Sequence, residues 1–197
     1  MAWLLLLLLG FADSFWEIKA PADWTLAELQ TMLSDSPWAQ ISEGKGRMQG
    51  QPMQIYIATA APMVLAELER EKRSKRASQK GAEDLMADEY RVWLEDNRAT
   101  QIIVAVRLSK NAAFSDAKEL KRMETECVMH AGKKKFKITG YFPPSTGDPH
   151  LRLAFPRQVE LSDKTLMFEL FFPGVPNGFR EVQFSLKDMV VKGKLEL

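Results

Sequence analysis

The segment from Gln101 to Leu108 (QIIVAVRL) limits the fold of this chain more than any other part of the sequence. It is a run of mostly β-branched residues, which favours a strand. A strand with one solvated face alternates between apolar and polar residues, whereas a strand with a continuous apolar run is buried on both faces. We therefore predict a strand that is buried on both faces, with helices packed on its sheet.

The residues before this strand contain three helical patterns. Thr25 precedes Glu28 by three residues, the spacing of a capping box, which predicts a short helix that ends at Leu33. Pro62 suits the first turn of a second helix. Residues 82–98 place apolar side chains at helical spacing and predict a third helix.

An extended segment lies among these helices. Residues 53–60 (MQIYIATA) are typical of a strand, whereas residues 43–52 (EGKGRMQGQP) hold glycine and proline among polar residues and predict a loop. For residues 13–110 the combined pattern predicts an α+β region in which N-terminal helices pack on a small sheet.

Beyond residue 110 the pattern changes to short strands separated by turns. Gly132 lies between two extended segments and predicts a hairpin. Residues 111–197 are therefore expected to form an antiparallel, β-rich region with a small sandwich-like sheet. The fold class is α+β, and the pattern leaves open whether the two regions share one core. The predicted strands of this second region are residues 127–131, 135–141, 151–155, 166–172 and 180–186.

The N-terminus contains six consecutive leucines, Leu4 to Leu9, within an almost wholly apolar stretch. The stretch is about half the roughly 20 residues that cross a bilayer, and it fits the apolar region of a secretory signal peptide. Small residues precede a cleavage point after Ala12, so residues 1–12 are predicted to be removed, leaving no transmembrane anchor. No Lys or Arg precedes the leucines, and a buried N-terminal helix or strand is the alternative. We expect a periplasmic or extracellular protein.

Cys127 and His130 are a cysteine and a histidine that lie close together in the sequence. A thiol needs a base within hydrogen-bond reach to become a nucleophile, and a spacing of three on a strand puts two side chains on opposite faces. A zinc site on His130 and His150 would need further ligands such as Asp148, and no close ligand spacing occurs. The sequence contains neither a Gly-x-Ser-x-Gly motif nor a glycine-rich phosphate loop. We therefore predict no catalytic residue, metal ligand or cofactor, and no partner for His150.

The basic segment over residues 70–80 (REKRSKRASQK) is the first candidate for contact with a partner, because lysine and arginine can bind an anion. Glu67 and Glu71 lie at the spacing of helix salt bridges to this segment, so a solvated helix face is the simpler interpretation. The formal net charge of +1 gives no general attraction to nucleic acid. The candidate anion contacts are Arg70, Lys72, Arg73, Lys75 and Arg76.

Tryptophans near the predicted mature N-terminus are the second candidate. They could line a ligand groove or a partner contact, since aromatic side chains dominate such contacts. The alternative is that they staple the terminal segment onto the domain. The residues are Trp16, Trp24 and Trp38.

Five short stretches are spread over most of the chain: residues 35–39 (DSPWA), 132–135 (GKKK), 140–144 (GYFPP), 186–189 (LKDM) and 193–195 (GKL). In these stretches the chain resembles an uncharacterised group of predicted secreted bacterial proteins. The resemblance implies export and a bacterial envelope setting, and it transfers no functional residue.

These observations predict an exported, non-catalytic protein of the bacterial envelope that acts by binding or assembly. Its expected partner is an unknown envelope protein or ligand, and not a nucleic acid. One alternative is a small exported hydrolase whose site is assembled from residues distant in the sequence. A second is a cytoplasmic binder of anions or nucleic acid that uses residues 70–80, whose affinity would fall steeply with salt.

Overall fold

The computed structural model describes residues 14–45, 48–78, 85–108, 114–145 and 148–197. The predicted signal peptide, residues 1–12, lies outside the described residues. Within them, no helix is both long and apolar enough to cross a membrane. The helices are α1 (Phe15–Ile18), α2 (Leu26–Ser34), α3 (Ala61–Ser78), α4 (Leu85–Asn97) and α5 (Ala117–Glu126).

The strands of the described residues form two larger sheets and one short pair. They are β1 (Ala39–Lys45), β2 (Met48–Ile57), β3 (Gln101–Arg107), β4 (Val128–Ala131), β5 (Lys134–Lys137), β6 (Gly140–Phe142), β7 (His150–Pro156), β8 (Thr165–Phe171), β9 (Phe179–Ser185), β10 (Val190–Val191) and β11 (Lys194–Leu195).

The first sheet has five antiparallel strands in the order β1-β2-β3-β7-β6. β3 lies at its centre, and residues 102–106 are all buried, so the prediction of a strand buried on both faces is confirmed. The sheet joins strands from both sides of residue 110, since β3 pairs along its whole length with β7.

The second sheet has four antiparallel strands in the order β5-β4-β8-β9, and it packs against one face of the first. The ring of Phe168 lies 5.3 Å from the ring of Phe155 on β7 and 6.0 Å from that of Phe184 on β9. At one edge the side chain of Gln40 on β1 donates a hydrogen bond of 2.6 Å to the carbonyl of Gln183 on β9. The predicted α+β fold with a sandwich-like sheet is confirmed.

Helices cover the other face of the first sheet. The capping box that begins α2 is present, because the Glu28 amide donates to the Thr25 hydroxyl and the Thr25 amide donates to the Glu28 carboxylate. α2 buries Leu29, Met32 and Leu33. α3 packs beside α2, and it continues as a helix through the polar residues 69–78.

The predicted loop over residues 43–52 is wrong, because β1 extends to Lys45 and β2 begins at Met48. The register of this pair shifts between Ser42 and Gly44, which marks a bulge. Pro52 lies in β2 opposite this bulge, where a residue without an N–H group is tolerated. The glycine and proline that favoured a loop therefore serve an irregular hairpin.

Candidate functional site

A group of polar side chains lies between the first sheet and its helix layer. His150 and Arg152 are two residues apart on β7 and therefore point to the same face of the sheet, towards α3. Tyr56 on β2 lies opposite Ala105 on β3, and Ala105 lies opposite Arg152. The small alanine leaves room between the two long side chains. We call this group the buried polar cluster; its members are Tyr56, Glu67, Tyr90, Asp148, His150 and Arg152.

Arg152 is the centre of this cluster. Its Nη2 atom lies 2.9 Å from Oε1 of Glu67 on α3, and it donates to Oδ2 of Asp148 at 2.8 Å. The Tyr56 hydroxyl donates to the same Glu67 oxygen at 2.5 Å. One face of the guanidinium stacks on the ring of Tyr90 on α4, with Cζ 4.1 Å from the ring centroid. Side chains from β2, β7, α3 and α4 are therefore grouped around the guanidinium of Arg152.

Asp148 also holds His150, through a hydrogen bond between Oδ1 and the ring Nδ1. Burial alone would raise the pKa of Asp148, but the hydrogen bond from His150 and the charge of Arg152 outweigh it and hold that pKa well below its usual range. Burial lowers the pKa of His150, so its ring is neutral at pH 7. An ionised carboxylate can only accept, so Nδ1 carries the proton and Nε2 presents a lone pair.

Two polar atoms of the cluster have no hydrogen-bond partner among the described residues: Nε2 of His150 and Nη1 of Arg152. His150 and Arg152 are only 3% and 5% exposed, respectively. The Tyr90 hydroxyl faces Arg152, whose hydrogen bond opposes the effect of burial on the pKa of Tyr90. Leaving a buried polar group unsatisfied costs about 1–3 kcal/mol, and most buried polar groups in proteins are paired. Nε2 of His150 and Nη1 of Arg152 are therefore the atoms of the cluster that are open to a further hydrogen bond.

The members of the cluster carry two negative charges and one positive charge, and a second positive charge lies beside them. Glu67 and Asp148 contribute two negative charges, and Arg152 contributes one positive charge. Arg70 supplies a second positive charge, with Nη2 3.8 Å from Oε1 of Glu67. Burial raises the pKa of Tyr90, so this hydroxyl keeps its proton at neutral pH.

The predicted tryptophan contacts lie largely inside the protein. Trp24 and Trp38 belong to the core, and the indole nitrogen of Trp38 donates to the carbonyl of Glu196 at 2.8 Å. Trp16 is partly buried, and its ring lies 5.9 Å from that of Trp38 in an edge-on contact. The ring of Phe15 lies 5.5 Å from that of Trp24. These aromatic contacts attach the N-terminal segment to the domain.

The predicted anion contacts lie on α3, and the described ones have carboxylates nearby. Nε of Arg73 donates to Glu69 at 2.7 Å, and Nζ of Lys75 lies 2.7 Å from Glu71. Lys72 lies 3.9 Å from Glu69, and Arg70 approaches the cluster through Glu67. The side chain of Arg76 falls outside the described part of the chain.

Cys127 and the two histidines do not meet. Cys127 is buried at the end of α5, where its Sγ atom accepts a hydrogen bond from the Phe171 amide and burial raises its pKa to about 12. His130 lies on β4 of the second sheet, with Nε2 3.4 Å from Glu169, whereas His150 lies on the first sheet. Among the described residues, no group of three or more His, Cys, Asp or Glu side chains is placed to hold a metal ion.

The prediction that His150 has no partner is wrong, because Asp148 bonds both its ring and its amide. The spacing of two residues at the start of a strand is the one local signal for this pair. The sequence did not single out Tyr56, Tyr90 or Arg152, and it indicated Glu67 only as a helix salt-bridge residue, since only the tertiary fold brings these side chains together.

Comparisons with models of protein families, with curated proteins and with solved structures gave no match to this chain. Roles for the cluster therefore follow from its own geometry and chemistry.

Proposed function

We propose that this chain is an exported protein of the bacterial envelope that acts by binding, and that the buried polar cluster is its ligand site. The observation behind the proposal is the pair of buried, unpartnered polar atoms Nε2 of His150 and Nη1 of Arg152. A ligand that bonded these atoms would remove their desolvation cost, and that gain would contribute to affinity.

Export is supported by the sequence alone. The leucine run ends before Gly10 and Ala12, which are small residues at the −3 and −1 positions of the predicted cleavage point, as in a signal peptide. The resemblance to secreted bacterial proteins agrees with an envelope setting, either periplasmic or extracellular. Expression in a bacterial host, with N-terminal sequencing of each cell fraction, tests this part. A chain that begins near Asp13 outside the cytoplasm supports export, whereas an uncut cytoplasmic chain refutes it.

Binding is tested by nuclear magnetic resonance of protein labelled with ¹⁵N-histidine. The probes are four small molecules at millimolar concentration: acetamide, ethanol, acetate and methylammonium. At least one probe should shift the Nε2 resonance of His150 saturably, while His130 on the second sheet serves as the internal control. If no probe moves His150, the cluster is not a ligand site.

A small hydrolase is the second candidate, because Asp148 orients His150 with Nε2 free, as a general base requires. Such an enzyme would hydrolyse p-nitrophenyl acetate, and His150→Gln would abolish that activity. Cys127→Ala should leave it unchanged, because the raised pKa and burial of Cys127 keep it out of the chemistry. Equal rates in the His150 variant and the parent chain would exclude this candidate.

A further inference from the structure

We infer that the buried polar cluster binds an uncharged group that both accepts and donates hydrogen bonds, such as the carboxamide or the hydroxyl of its ligand. This inference rests on the proposed function and narrows the ligand to a chemical class. It follows from the charge of the cluster and from the hydrogen-bonding polarity of its unpartnered atoms.

The charge of the cluster disfavours an anion. Nη2 of Arg152 already lies within 2.9 Å of two carboxylates, those of Glu67 and Asp148. Arg70 adds a further positive charge on the Glu67 side. Bringing an anion into this buried region would add a third negative charge beside Glu67 and Asp148, which is far more costly than burying a neutral group.

The unpartnered atoms differ in polarity. Nη1 of Arg152 can only donate. Nε2 of His150 can only accept, because Asp148 fixes the ring proton on Nδ1. A carboxylate has no hydrogen to offer Nε2, and an ammonium group has no acceptor for Nη1, whereas a carboxamide or a hydroxyl supplies both.

Asp148→Asn provides a test of this logic. The amide of the new side chain can donate to Nδ1 of His150, which moves the ring proton to Nε2 and turns that atom into a donor. The substitution also removes one negative charge. We therefore expect the preference for acetamide or ethanol over acetate to shift towards acetate by about tenfold or more.

The experiment titrates the same four probes against ¹⁵N-histidine-labelled parent protein and the Asp148→Asn variant. In the parent, acetamide or ethanol should shift His150, acetate and methylammonium should not, and the Nε2 resonance should be that of an unprotonated nitrogen. The difference between the acetamide and ethanol arms then separates an amide ligand from an alcohol ligand. The tautomer measurement needs no variant, so it stands even where Asp148→Asn does not fold.

Each contrary result has its own meaning. If acetate or methylammonium shifts His150 in the parent and the neutral probes do not, the ligand class is wrong and binding stands. A protonated Nε2 in the parent also overturns the class, because the donor and acceptor assignment fails. If none of the probes shifts His150, the cluster holds only a structural water, and both the class and the proposed function fail.

Discussion

Replacing Arg152 by methionine removes the cation at the centre of the buried polar cluster and keeps an unbranched apolar side chain of similar reach. Arg152 is only 5% exposed, so water does not replace the lost contacts. The substitution leaves the carboxylates of Glu67 and Asp148, at 2.9 and 2.8 Å from Nη2, without their partner. Removing one partner of a buried ion pair typically costs about 3–5 kcal/mol.

The lower end of this range applies here. Glu67 keeps the hydrogen bond from Tyr56 and has Arg70 at 3.8 Å, and Asp148 keeps the bond from His150. We therefore expect the free energy of unfolding to fall by about 3 kcal/mol. With a urea m-value of about 2 kcal/mol/M, the midpoint of unfolding should move by about 1.5 M.

The assay is urea unfolding followed by tryptophan fluorescence, with Lys75→Met as the matched control. Lys75 has its own carboxylate partner at 2.7 Å, but its side chain is 62% exposed, so its loss should cost less than about 1 kcal/mol. Adding Glu67→Gln to Arg152→Met removes one unpaired charge and should restore about 1 kcal/mol or more. Equal losses in the Arg152 and Lys75 variants, or no recovery in the double variant, would refute the reasoning.

Three further predictions concern pH, thiol reactivity and backbone packing. Burial lowers the pKa of His150, so on acidification the unfolded chain takes up a proton at a higher pH than the folded chain does. The free energy of unfolding should therefore fall as the pH drops below about 6.5. In urea midpoints measured across pH, His150→Gln should make this pH dependence weaker. Cys127 is buried with its pKa raised to about 12, so iodoacetamide should label it only in urea, and labelling of the folded protein at the same rate would contradict its placement. A Cβ atom at Gly50 would lie 2.5 Å from Nη2 of Arg180, a side chain fixed by three backbone carbonyls. Gly50→Ala should therefore cost about 1–3 kcal/mol of unfolding free energy. Gly140→Ala, which meets no atom within 4 Å, is the control, and an equal loss there would contradict the contact.

Local signals in the sequence predicted the elements whose stability is local. The capping box at Thr25 and Glu28 depends on residues three apart, and the strand at residues 101–107 depends on its own apolar run. The hairpin over residues 43–52 was mistaken for a loop because a bulge accommodates residues that normally end strands. Whether a bulge forms depends on pairing with another strand, which the local pattern does not contain.

Most of the buried polar cluster could not be predicted from the sequence, for a different reason. The residues His150, Leu151, Arg152 and Leu153 alternate between polar and apolar, which is also the pattern of a strand with one face in water. In the folded chain the polar face meets helices, so His150 and Arg152 are buried. Only the position of α3 and α4 on the sheet decides between these outcomes, and that position is set by packing across the whole domain.

The same helix, α3, contacts both the N-terminal segment and the buried polar cluster. Nη2 of Arg73 on α3 donates to the carbonyl of Trp24 at 2.8 Å. This bond connects the basic segment with the N-terminal segment that carries the predicted tryptophan contacts. Six residues earlier, α3 supplies Glu67 to Arg152. A partner that used Arg73 or Trp24 would have to break these bonds, whereas a ligand at the cluster would satisfy atoms that have no partner among the described residues.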